Sequence, residues 1–120
     1  MHIAAQALVA SVALIHACFL VLEMFLWDTA RGRKVFATTP AFSRESAALA
    51  ANQGLYNGFM AAGLVWSLLA GDPVAYQAQI FFLGCLIVAG VYGAATVSRK
   101  ILLVQAAPAA VALVLVLLAG

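Results

Sequence analysis

Four apolar stretches, near residues 3–27, 46–70, 75–97 and 101–119, alternate with short segments that hold nearly all of the charge: Asp28 to Glu45, then Asp72, then Arg99 and Lys100. Each stretch is close to the roughly 20 residues an α-helix needs to cross about 30 Å of hydrocarbon. The pattern predicts an all-α protein, a four-transmembrane-helix up-down bundle forming one domain over residues 1–120, because tight connections make consecutive helices antiparallel neighbours. The first stretch reads as a retained span and not a cleaved signal. No basic region precedes it, its apolar run exceeds the ~7–15 residues of a signal core, and its basic residues follow it.

Punctuation along the chain refines these limits. Thr39-Pro40 is expected to cap and open a short helix, Ser43 to cap the next, and Asp72-Pro73 to start the third span. Trp27, Trp66 and Tyr76 fall near predicted interfaces, where amphipathic rings collect. Ala50, Gly54, Gly58 and Ala62 recur every four residues in the second span, with Ala89 and Gly93 in the third. Such stripes let helices approach closely, either inside the bundle or in a homo-oligomer seam through Gly54 and Gly58.

Composition agrees with a bilayer as solvent: of 120 residues 67% are hydrophobic and 8% charged, against about 25% charged in a soluble domain. The sign of the charge adds an orientation. Arg31, Arg33, Lys34 and Arg44 precede the second span, Arg99 and Lys100 separate the third from the fourth, and Gly71-Asp72-Pro73 holds no cation. The positive-inside rule therefore places loops 28–45 and 98–101 in the cytoplasm, with both termini and Asp72 outside (N-out/C-out). Arg31-Gly32-Arg33-Lys34 is short, lacks interleaved aromatics and adjoins a membrane exit, so anionic lipid is its expected contact and nucleic acid is not. Cys18 and Cys85 lie within predicted spans without the spacing partners of a zinc or redox motif, and read as small core residues.

A charge at the centre of a span costs ~2.5–3.5 kcal/mol on insertion scales, so polar groups there need a partner or a water-filled cavity. His16, Glu23 and Trp27 recur at seven and four in the first span and share a helical face. Glu23 lies roughly 6 Å from the cytoplasmic end at 1.5 Å per residue. Asn52, Gln53, Tyr56, Asn57 and Met60 form a broad face at matching depth in the second span, and Tyr92 and Gln105 lie in the same half of the third and fourth. The other half shows only Ser11, Ser67 and the interfacial Gln6, Gln77 and Gln79, and hydroxyls there can bond back to their own helix. These positions predict a polar pocket open toward the cytoplasm. Amides alone serve as interhelical glue, but glue does not require an ionisable carboxylate, which singles out Glu23. His16, near the midplane, could extend a proton path, ligate a haem or hydrogen-bond across helices, and would be a metal ligand only if haem is present.

Glu23-Met-Phe-Leu-Trp27, Arg31-Gly-Arg-Lys-Val-Phe36, Ala51-Asn-Gln-Gly-Leu-Tyr-Asn-Gly58 and Phe81-Phe-Leu-Gly84 with Gly90-Val-Tyr-Gly-Ala-Ala-Thr96 together resemble the small bacterial membrane proteins catalogued as the domain of unknown function 1304 family. The resemblance runs from Glu23 to Gln105. It implies a four-helix protein of the inner membrane and no particular reaction.

Three function classes follow. A binding or transport module, small-molecule or proton-coupled, would use Glu23 as its coupling or binding carboxylate and the second-span amides as partners. A membrane-embedded enzyme on an apolar substrate would use Glu23 and Tyr92 as acid and base, or His16 as a haem ligand. A structural partner of a membrane complex would dock through the second-span stripe and the apolar fourth span.

Overall fold

The computed structural model describes residues 2–120, and the described chain forms five α-helices: α1 His2–Met24, α2 Ala30–Phe36, α3 Pro40–Leu69, α4 Val74–Thr96 and α5 Ala107–Ala119, with a π-helical turn Leu102–Ala106 leading into α5. Three stretches are long and apolar enough to cross a membrane, His2–Met24, Val74–Thr96 and Leu102–Ala119. Ile3, Phe81, Val88, Leu103 and Leu118 are all exposed, an apolar exterior of the kind that marks contact with lipid or a partner.

The second predicted span differs from expectation. It is part of a helix of 30 residues, about 45 Å long at 1.5 Å per residue. Its length exceeds what a crossing needs, but Arg44, Glu45, Asn52, Gln53 and Asn57 keep it less apolar than the other three. Pro40 begins this helix itself and not a separate short one: the Phe42 N–H donates to Thr39 Oγ1 at 3.1 Å, as an N-terminal cap does. Ser43 lies inside the helix and caps nothing.

The short helix of the loop comes earlier. Thr29, in extended conformation, caps α2 by accepting from the Gly32 N–H at 3.2 Å, and α2 ends where Ala37 enters the left-handed region at φ 55. Gly32 is required by space: a Cβ there would collide with the Leu26 carbonyl oxygen and lie 2.8 Å from that of Trp27. Backbone therefore packs on backbone at the Arg31-Gly32-Arg33-Lys34 turn.

The chain divides into two compact units, Leu14–Ala61 and Met1–Ala13 with Ala62–Gly120. In the first, Gly54 and Gly58 face α1. A Cβ at Gly54 would lie 2.7 Å from Met24 Cγ and 3.0 Å from Glu23 Cβ, and one at Gly58 would overlap Leu20 Cδ1. Gly54 and Gly58, of the stripe expected to serve either role, thus pack on α1 of the same chain.

In the second unit Leu64, Leu83, Leu86, Ala109, Ala112 and Val116 are buried. Gly90 admits the π turn, since its Cβ would stand 2.7 Å from Ala106 Cβ and 2.8 Å from Ala106 N. The turn widens just before Pro108, which has no N–H to offer the Val104 carbonyl and whose ring would crowd it in a regular α-helix. Cys18 is exposed and Cys85 half-buried, so neither is the core residue that its position in a span suggests.

Candidate functional site

Within Leu14–Ala61, the close approach at Gly54 and Gly58 brings the last turn of α1 against α3, and Glu23 and Asn57 meet there. Asn57 Nδ2 donates to Glu23 Oε1 at 2.5 Å, and Glu23 is only 8% exposed. A primary amide suits a carboxyl group that changes charge. Its N–H donates to the carboxylate, and its carbonyl can accept from the neutral acid.

Beyond the end of α1 lies a polar turn. Trp27 Nε1 donates to Ser46 Oγ at 3.0 Å and its ring tilts against Phe36 at 4.9 Å between centroids. Asp28 accepts from Ser43 Oγ at 2.7 Å and pairs with the Arg33 guanidinium at 3.0 Å. These contacts tie the α1–α2 connection to the start of α3 and hold the helix end that carries Glu23.

The remaining expected residues are placed differently. Asn52, Gln53 and Tyr56 are exposed on α3, with Tyr56 edge-on to Phe59. Of the second-span amides, only Asn57 is hydrogen-bonded to Glu23. His16 has no exposed surface, and its ring meets Phe19 edge-on at 5.6 Å. A haem would need this packing to open. Among the described residues no three His, Cys, Asp or Glu side chains gather as a metal site. In the other unit Tyr92 is 71% exposed and borders a shallow apolar groove with Phe81 and Val88, while Gln105 lies half-buried in the π turn.

A second polar site, in the unit of Met1–Ala13 and Ala62–Gly120, falls in the half where the sequence pattern predicts none. Gln6 and Gln79 exchange amide hydrogen bonds, Nε2 of Gln6 to Oε1 of Gln79 at 3.3 Å and the reverse at 3.0 Å. Gln79 is 2% exposed. Beside them lies a recess of about 270 Å³ bordered by His2, Ser67, Asp72 and Tyr76. Each glutamine by itself looks interfacial, and the only sequence signal was two amides near the predicted non-cytoplasmic ends of different spans. Ser11 and Ser67 behave as expected, bonding back to the carbonyls of Ala7 at 2.9 Å and Leu64 at 2.6 Å.

Helices of membrane-crossing length and apolarity, with a buried carboxylate between two of the chain's helices, define the class: an all-α protein built for the bilayer. The chain belongs to the family described as protein of unknown function (DUF1304), whose model matches residues 10–117. No curated protein and no solved structure matches it.

Proposed function

We propose that this chain is a four-span inner-membrane binding or transport module, with loops 28–45 and 98–101 cytoplasmic, in which Glu23 takes up and releases a proton or binds a small cationic solute. One observation carries the reading: a buried carboxyl whose partner, Asn57, can serve both of its charge states. The exposed amides of Asn52 and Gln53 and the hydroxyl of Tyr56 lie on the same helix within two turns of Asn57, available to a solute's hydrogen-bonding groups. The distribution of the six cations supports the orientation. The close packing of Gly54 and Gly58 on α1, itself long and apolar enough to span, supports α3 as the fourth crossing.

The test is flux in reconstituted vesicles under a pH gradient, with a panel of small cations as candidate solutes. Glu23→Gln keeps the shape and an acceptor for Asn57 but removes the ionisable group. It is expected to abolish coupled flux while inserting at the wild-type level. Undiminished flux would exclude Glu23 as the working group.

A further inference from the structure

α3 carries two rows of side chains at the alternating three- and four-residue spacing of a heptad, about 150° apart around the helix. Ala47, Ala50, Gly54, Asn57 and Ala61 form the inner row, buried or half-buried, on the side where Gly54 meets α1. Phe42, Glu45, Leu49, Asn52, Tyr56 and Phe59 form the outer row. Every one of these is exposed, so nothing in the chain covers the row.

The chemistry of the outer row indicates its cover. Lipid suits Leu49 and Phe59, but Asn52 lies about 10 Å beyond Glu45 along the helix, and its amide has no hydrogen-bond partner among the described residues. An unpaired amide in hydrocarbon is costly. A primary amide offers both donors and an acceptor, so it is its own complement, as Gln6 and Gln79 illustrate by exchanging hydrogen bonds in both directions. The orientation proposed from the six cations is the same for every copy. A two-fold axis along the membrane normal then sets each residue of the row against its own equivalent at equal depth.

We propose that the chain forms a parallel homodimer through the outer row of α3, with Asn52 hydrogen-bonded to Asn52 of the second copy. Side-chain amides drive association of transmembrane helices where lipid removes the hydrophobic drive. The inference rests on α3 being the fourth crossing, as proposed above, and it accounts for an exposed Asn52 on that helix. Leu49, Tyr56 and Phe59 supply the packing, the two rings already edge-on at 5.8 Å. Gln53 flanks the row on the side of Asn57, four residues on, and stays open to a solute. Phe42 and Glu45 continue the row into segment 28–45, where water and salt screen the facing carboxylates.

The test uses the full chain in native membranes, carrying Cys18→Ala and Cys85→Ala because Cys18 is itself exposed. Oxidation should link copies strongly at Leu49→Cys and Tyr56→Cys. It should link them weakly at Leu55→Cys and Ala51→Cys, about a quarter and a third of a turn off the row. In vesicles diluted with lipid, Asn52→Leu should weaken the dimer about tenfold, two interhelical hydrogen bonds at roughly threefold each, and Asn52→Gln, which keeps an amide, should hold it. The crossing is checked separately: an impermeant maleimide should reach Arg44→Cys and Asp72→Cys from opposite faces of the membrane. Given that result, absent or evenly spread linking, or an Asn52→Leu dimer as tight as wild type, would overturn the dimer and leave the crossing standing. Labelling of both positions from one face would overturn the crossing and the dimer together.

Discussion

Glu23–Asn57 and Gln6–Gln79 are both side-chain pairs between helices, yet they close differently. The two amides satisfy one another in both directions, and neither group changes charge. That arrangement fixes the spacing of two helices without further chemistry. The carboxylate and amide are joined by one hydrogen bond and leave acceptor capacity on Glu23, the member that can gain or lose a proton. A buried pair that does not close is costly in a membrane protein, and the proposed role of Glu23 rests on that difference.

Substitutions can break this comparison in order of effect. The largest is expected from Gly54→Leu, because even a Cβ there would stand 2.7 Å from Met24 Cγ and 3.0 Å from Glu23 Cβ. Forced overpacking costs about 1–3 kcal/mol, and separation of the helices would also part Glu23 from Asn57. Unfolding in detergent should register the loss, with Gly71→Ala, which has nothing within 4 Å, as an unaffected control.

Next is Asn57→Leu, which leaves Glu23 in place without its donor and should destabilise the protein by about 1–3 kcal/mol. Glu23→Leu in the same background should recover part of that loss, since removing both partners is milder than stranding one.

The smallest effect belongs to the amide pair. Gln6→Leu or Gln79→Leu should each cost about 0.6 kcal/mol, and at most ~1.7 kcal/mol, the range for interhelical hydrogen bonds in membranes. A double-mutant cycle should return a coupling of that size. A coupling as large as that between Glu23 and Asn57 would erase the distinction drawn between the pairs.

The helices and their approximate limits were legible because hydrophobic runs and charge clusters are local signals, as Asp28 to Glu45 shows. The burial of Glu23 against a polar partner was legible too, since a carboxyl in an apolar run needs one. What the chain did not disclose was direction. Asn52, Gln53 and Tyr56 lie within two turns of Asn57, yet a rotation of one helix decides which side chain meets Glu23, and the rotation is set by Gly54 and Gly58 fitting against α1. The start of α2 was hidden because Thr29 and Thr39 are equally good caps, and only the second is followed by a proline. Gln6 and Gln79 look unrelated along the chain because their pairing spans 73 residues, a separation that no local pattern records.

The most direct test of the role of Glu23 is labelling by a hydrophobic carbodiimide, which attacks carboxyl groups lying in an apolar setting, followed by peptide mass mapping. Modification is expected at Glu23 in preference to Asp28, Glu45 and Asp72, with loss of flux in proportion to labelling and no such adduct in Glu23→Gln. An unmodified Glu23, or a fully modified protein that still carries solute, would contradict that role.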